Sequence, residues 1–485
     1  LLPDSVRFAQ LQGESGRSNR LIHINCPNVS IKGPSLMKLY FDKVLEVDEF
    51  DIINPEVEIR VYGKFRSGSS GLRNFHEVLT KYLTVLRVSN SKLEHAVVKF
   101  IKINDLKRES FEFNDISLSL ERFKLDDRLE GDSLLSLGDM RLSLGTNDIK
   151  VDSLNRIAFK GLDINIKDST IHADSFVFKP LKVDKSLNQN DLQFKDLSIL
   201  GIDFWQLYSS KNARARQLRA TEGAIGMSRA FVPDSIEAWN KISKLFDTVD
   251  IERIDVSNSS LHFQKLFGKK QNDIIVPIGQ ATLHSFLLDS QSFTRNKLNL
   301  YSKNVDLAVD PFSLTSKDSN QRIDIGALNL STLNRELLLF DIAVVSLGDQ
   351  TEKAKINGTL KSVQVFGVDP MVVLQRNKLI ARAVLLENPA ISVTKGAGNG
   401  GFNNDVLNAI VKKQFRYVNV STVQVENGNL DLKSRNGYKE TSIEHLSLFS
   451  KGFKTYSSSV PANKHLLSDA VSAEAGLISS YLPDG

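Results

Sequence analysis

"IDVSNSSLHFQ", residues 254–264, is apolar and polar in turn, then breaks at a small polar group around Asn258, then alternates again. Alternation with a period of two is the mark of a strand with one apolar and one solvated face. The same arrangement recurs in "LRVSNSKLEHA" (86–96) and "VQVENGNLDLK" (423–433). Asn90, Asn258 and Asn427 are 168 and 169 residues apart.

Other segments keep this spacing and order. "VSIKGPSLMKLY", "LSILGIDFWQLY" and "VQVFGVDPMVVL" set Gly33, Gly201 and Gly367 at intervals of 168 and 166. "INPEVEIRV", "TEGAIGMSR" and "ENPAISVTK" set Val57, Ile225 and Ile391 at the same two intervals. "STIHADSFVF" and "RELLLFDIAVV" put Asp174 and Asp341 167 residues apart. Several motifs sharing one period identify an internal repeat. The chain therefore divides into the end of a preceding repeat (1–32), repeat 1 (33–200), repeat 2 (201–366) and an incomplete repeat 3 (367–485).

Within a unit, strands dominate. Ile116, Leu118 and Leu120 alternate with polar residues, as do Leu162, Ile164 and Ile166, and Val305, Leu307 and Val309. These nine are the candidate lining of an apolar groove. The polar pieces "GDM" (138–140), "GTND" (145–148) and "DSNQ" (318–321) read as hairpin connections. Helical spacing predicts one amphipathic helix per unit, at 74–86, 234–246 and 403–415, with Trp239 as a core anchor of the second and Asp234/Glu237 as its capping box. Shorter helices are expected after each repeat glycine, at 34–42, 203–210 and 369–376. The fold expected is mainly β with short helices. It is an elongated, curved, mostly antiparallel sheet, half-pipe or taco-like, built from three degenerate repeats of ~167 residues.

Composition excludes several classes. The 485 residues carry 62 basic and 57 acidic groups, a net charge of +5 with no dense basic run, so nucleic acid is not an expected partner. No apolar stretch is long enough for a membrane-spanning helix. The single Cys26 rules out an intrachain disulfide. The eight histidines are scattered, with no H-x-x-x-H pair, no G-x-S-x-G and no P-loop lysine motif. Neither a metal site, a cofactor nor an enzymatic activity is expected. Gly396, Gly398 and Gly401 spell G-x-G-x-x-G. A dinucleotide loop also needs an acidic residue about 20 positions on. The region about 20 residues on, "RYVNVSTVQVENGNLDL", has no acidic residue before Glu426, and it alternates like a half-solvated strand rather than a parallel strand buried on both faces. The matching places in the other repeats, "RSGSSGLRN" (66–74) and "SRAFVPDS" (228–235), do not preserve the glycines. The loop reads as a variable connector.

At "LIARAVLLENPAISVTKGAGNGGFNNDVLNAIV" and "VSTVQVENGNLDLK" the sequence resembles the AsmA-like family of bacterial envelope proteins, through Asn388, Pro389, Asn427, Gly428 and Leu430. Ser91 and Ser259 stand in place of the glycine in the other repeats, and Gly223 in place of the proline. The resemblance implies a lipid-transfer protein of the cell envelope, periplasmic and anchored to the inner membrane by a segment outside this sequence. Its partner would be a phospholipid or other acyl lipid, carried between membranes along the groove. Two alternatives stay open on the residues alone. One is a structural or scaffold β-repeat protein with a closed core and no lipid. The other is an adhesin-like array of sandwich domains, although the linkers expected between separate domains are not found.

Overall fold

The computed structural model describes residues 6–9, 20–62, 83–104, 107–126, 135–136, 138–150, 155–180, 190–227, 246–267, 270–291, 301–315, 321–347, 355–369, 372–373, 378–395, 417–455 and 466–481. The chain is mainly β, and its strands pair mostly antiparallel. It forms two compact units. The first holds residues 1–184, 190–209 and 215–221, the second 185–189, 210–214 and 222–485.

The first unit contains β1 (Val6–Ala9), β2 (Arg20–Cys26), β3 (Asn28–Lys32), α1 (Leu36–Asp42), β4 (Val44–Ile53), β5 (Glu56–Tyr62), β6 (Val85–Asn104), β7 (Lys107–Asp126) and β8 (Leu135–Ser136). It continues with β9 (Asp139–Leu144), β10 (Asn147–Lys150), β11 (Asn155–Asn165), β12 (Thr170–Pro180), β13 (Asn190–Phe194), β14 (Asp196–Leu200), α2 (Phe204–Ser210) and most of β15 (Asn212–Thr221). The second unit contains β16 (Ala224–Met227), β17 (Thr248–Phe267), β18 (Lys270–Leu288), β19 (Asn304–Val309), β20 (Phe312–Thr315), β21 (Gln321–Ser331), β22 (Glu336–Ser346) and β23 (Lys355–Phe366). It ends with β24 (Lys378–Glu387), β25 (Ala390–Thr394), β26 (Tyr417–Lys433), β27 (Lys439–Thr455), β28 (Leu466–Leu467), β29 (Ala470–Glu474) and β30 (Leu477–Ser480).

In each unit a seam crosses the strands. Strands that run through it insert one left-handed residue, such as His95 (φ 55), Asp115 (φ 55), Gly161 (φ 58), Asn258 (φ 48), Asp341 (φ 51) and Asn427 (φ 53). The other strands break there for two residues, at Asn54–Pro55, Gly145–Thr146, Glu222–Gly223, Asp310–Pro311 and Asn388–Pro389. Asn, Asp and His are the side chains that best tolerate this conformation. An inserted left-handed residue is a β-bulge: it bends the strand and shifts the alternation by one. On β7 the apolar frame is Phe111 and Phe113 before the seam and Ile116, Leu118 and Leu120 after it. The pairings Val98–Phe113, Ala96–Ile116 and Leu93–Leu118 carry the same face across.

The repeat is visible in the backbone. The amides of Asn54, Glu222 and Asn388 donate to the carbonyls of Glu94 (2.9 Å), Ser257 (3.2 Å) and Glu426 (2.9 Å). The amides of Val97, Ser260 and Asn429 donate back to Pro55, Gly223 and Pro389, at 2.9, 2.8 and 2.6 Å. His95 is therefore the equivalent of Asn258 and Asn427. Asn90, which the shared Ser-Asn-Ser suggests, instead lies in plain strand between Glu49 and Glu121. From Pro55 to His95 the first repeat is five residues longer than the second (Gly223 to Asn258) and two longer than the third (Pro389 to Asn427), and connectors absorb such insertions. Gly33, Gly201 and Gly367 all have positive φ, from 64 to 68, and each precedes a helical turn. A Cβ at Gly367 would lie 2.7 Å from that of Arg382. Lys43 and Lys211 (both φ 54) end α1 and α2.

Several expectations need correction. "GDM" and "GTND" are not hairpins. β9 and β10 both run antiparallel to β11, so Gly145–Thr146 is a step within one strand direction. β8 and β9 both run antiparallel to β7, so the same holds for "GDM". "DSNQ" does join an antiparallel pair, β20 and β21. Val85 and Leu86, placed at the end of the first long helix, are strand, and Val85 is deeply buried beside Val44. Residues 74–82, 234–245 and 403–415, with Trp239, lie outside the described residues. The short helices are found at α1 and α2, and residues 372–373 are helical.

The strands flanking the glycine loop, β25 and β26, are parallel, as are β5 and β6, and β16 and β17. Alternation here accompanies parallel pairing because these strands are only partly buried. The rule that parallel strands read as continuous apolar runs assumes cover on both faces. The glycine loop itself lies outside the described residues. A buried cluster sits next to Gly367: Val365, Val368, Ala381, Val418 and Val420, with Leu337, Val373 and Phe453 packed against it.

Candidate lipid-binding face

Cross-strand partners in a ladder point to the same side of the sheet. In the first unit the register therefore assembles one apolar row from nine strands. Val29 (β3) pairs with Ile52 (β4), Ile52 with Leu93 (β6), Leu93 with Leu118 (β7) and Leu118 with Leu142 (β9). Leu142 pairs with Ile164 (β11), Ile164 with Ile171 (β12), Ile171 with Ile199 (β14) and Ile199 with Leu218 (β15). All nine are partly buried and none is fully so. The adjacent row, beside the seam, is Ala96, Ile116, Leu144, Leu162, Ala173, Leu197 and Ala220. There Ala96 (1% exposed), Ala173 (2%) and Ala220 (1%) are closed off, so burial deepens where the strands bend.

Five of the nine predicted lining residues thus meet on one face: Ile116, Leu118, Leu120, Leu162 and Ile164. Strand β9 brings them together through Met140, Leu142 and Leu144. Ile166 follows the last residue of β11 and its amide donates to Met140 (3.0 Å). The other three stand on β19 in the second unit. There Val256, Ala281, Leu307, Leu330, Leu337, Val365, Val384 and Val423 form a row from eight strands. Leu307 is partly buried, whereas Val305 (8% exposed) and Val309 (4%) are core residues. The sequence reading missed most of both rows. Alternation marks Leu142, Ile171 and Leu337, but only once a one-residue step at the seam is allowed for.

In the first unit the opposite face is polar. Ser117, Ser143, Asp163, His172, Ser198 and Arg219 lie in register across six strands of the first unit. Ser143 donates to Asp163. His172 lies 3.0 Å from Ser198 Oγ through Nδ1 and 3.3 Å from Asp174 through Nε2. Asp174 and Asp196 around it are more than half exposed. In the second unit, Thr282 donates to Asp255 (3.0 Å) and Ser331 to Asp306 (2.7 Å), while His284 Nε2 is 3.2 Å from Asp306. A depression of about 570 Å³ opens on this side, lined by Arg253, Thr282, His284, Asp306 and Ser331 among others. Ser331 and His284 thus both meet the Asp306 carboxylate. Among the described residues no cluster of His, Cys, Asp and Glu suited to a metal is present. Cys26 is buried, which pushes its thiol pKa up and away from the reactive thiolate.

No family model matches the chain, and no curated protein does. Among solved structures, the crystal structure of a sex pheromone precursor from Lactobacillus salivarius subsp. salivarius aligns with 60% of this chain and 68% of that one. The identity is 7% and the TM-score 0.11, a likeness too small to carry any argument.

Proposed function

We propose that this chain is a non-enzymatic lipid-binding protein that carries phospholipid acyl chains along its apolar sheet face between membranes of the bacterial cell envelope. The observation that supports it is the first unit's row of nine aliphatic residues from nine strands, each partly exposed. Large apolar surface held in register mostly marks an interaction site, and a row of branched aliphatic side chains suits an acyl chain, which needs contact without hydrogen bonds. The first unit's polar reverse face suits an aqueous compartment such as the periplasm. No helix among the described residues is long and apolar enough to cross a membrane. The test is mass spectrometry of lipid extracted from purified protein, with Leu118→Asp and Ile164→Asp beside the wild type. Stoichiometric phospholipid, reduced in folded variants, is expected.

The burial of Val305 and Val309 favours a second reading for part of the second unit, a β scaffold whose apolar face is filled by its own side chains. Purified protein without lipid, destabilised by aspartate at every position of both rows, would select it.

A further inference from the structure

In the first unit the nine-residue apolar row leads to a cavity. Positions two apart along an extended chain share a face. Ile166, Ser169 and Gly201 stand two positions from Ile164, Ile171 and Ile199 of the row, all displaced the same way across the sheet, and Arg216 stands two from Leu218. A cavity of about 410 Å³ opens at this next row. Ile166, Ser169 and Gly201 line it, together with Asp203, Phe204 and Trp205, where α2 begins. Ile202, 7% exposed, donates its amide to the Ser169 carbonyl (3.0 Å) and so anchors this stretch against the sheet.

Three kinds of group meet there. Trp205 is 59% exposed, with its large apolar ring in the cavity lining. Asp203 Oδ1 accepts the Gln206 amide (2.9 Å). A carboxylate offers about four lone-pair sites, so this bond does not exhaust it. The exposed Arg216 lies over Gly201: a Cβ on the glycine would be 2.8 Å from Arg216 Cβ and 3.5 Å from its Nε. We infer that this cavity holds the headgroup of an ammonium-bearing phospholipid whose acyl chains follow the nine-residue row. The inference rests on the lipid-carrying function proposed above and names the lipid class. An indole face attracts a cation through its quadrupole, and the Asp203 carboxylate adds opposite charge. A guanidinium suits the phosphodiester, which a short alkyl spacer separates from the ammonium. Ile166 meets the apolar part of the lipid beside the row. All these partners are side chains, and the helix amides play no part. The other repeats lack the full set. The first has Ser35 and Asp48 in place of Asp203 and Arg216, and the third keeps Asp369 and Arg382 but has Met371 in place of Trp205.

The test incubates the purified protein with vesicles of phosphatidylethanolamine and phosphatidylglycerol, in equal amounts and with the same acyl chains. The protein is then re-isolated and its bound lipid measured by mass spectrometry. The wild type should retain the ethanolamine lipid about fivefold or more over the glycerol lipid. Trp205→Ala, at an exposed position, should leave the thermal melt unchanged and bring the two lipids towards parity. Asp203→Asn should act likewise, since asparagine keeps an oxygen for the Gln206 amide while the charge is lost. Trp205→Phe retains an aromatic face and should keep part of the preference. Equal retention of both lipids by the wild type, or a preference that Trp205→Ala leaves unchanged, would overturn the headgroup assignment and leave the lipid-carrying reading standing. Retention of neither lipid would overturn both.

Discussion

Aspartate at Ile164 and at Val309 puts the same carboxylate on apolar strand faces that differ in cover. Ile164 stands in the middle of the first unit's nine-residue row, between Leu142 and Ile171, and is partly buried. Val309 is 4% exposed, against Ile278 and Leu328. Losing the burial of a valine side chain costs about 1.5–3 kcal/mol. A carboxylate left there without a partner adds a further penalty of roughly 1–3 kcal/mol even after partial relaxation or protonation. Val309→Asp should therefore cost roughly 4 kcal/mol, close to the whole stability of a marginal domain. At Ile164 the carboxylate reaches water along the uncovered face, and the loss is limited to packing, about 1 kcal/mol. Its larger effect should fall on the ligand. An acyl chain kept from two or three methylene contacts loses about 2 kcal/mol, or roughly thirtyfold in affinity. Urea titration of both variants gives the stability difference, and lipid extraction from the same preparations gives occupancy. Equal destabilisation by the two substitutions would refute the reasoning, since it would mean that the face around Ile164 is as closed as that around Val309. So would a folded Ile164→Asp protein with its full lipid content.

Further expectations concern the seam and one carboxylate. Gly161→Ala meets both a φ of +58 and the Asp174 carboxylate, 2.2 Å from the new Cβ, so chemical denaturation should show a loss of about 1–2 kcal/mol. Asp174→Ala in the same chain should recover part of that loss, and strict additivity would show that the two do not interact. Asn427, at φ 53 and donating to Asn388 (2.9 Å), should tolerate Gly but lose about 1–2 kcal/mol as Val, which cannot easily adopt that conformation; similar melting of both variants would remove the seam's requirement. For Asp431, burial alone raises the pKa, yet hydrogen bonds from Ser442 (2.7 Å) and Lys439 (3.0 Å), together with nearby lysine charge, outweigh it and hold the carboxyl below its usual range. A lowered folded pKa stabilises the protein above the unfolded value and ceases to do so as pH falls through the folded one. The stability gap between wild type and Asp431→Asn should therefore be full at pH 6 and close below about pH 4; a gap independent of pH would contradict this.

Period-two alternation at Ile116, Leu118 and Leu120 was enough to identify strands with one apolar face, because that pattern is a local property of extended backbone. The spacing of Gly33, Gly201 and Gly367 likewise disclosed the repeat, since each must supply a positive φ before a helical turn. Pairing direction was not local. β25 and β26 alternate as antiparallel strands do and yet run parallel, because partial burial, not direction, sets the alternation. The breaks at Gly145–Thr146 and Asn388–Pro389 look like turns in the sequence, but neighbouring strands continue past them and hold the chain to its course. The equivalence of His95 with Asn258 was hidden because a left-handed residue is chosen for its backbone conformation, which Asn, Asp, His and Gly all provide. Which leucines and isoleucines share a face, and whether that face is closed as at Val309 or partly open as at Ile164, depended on register between strands far apart in the chain. That information exists only once the sheet has formed.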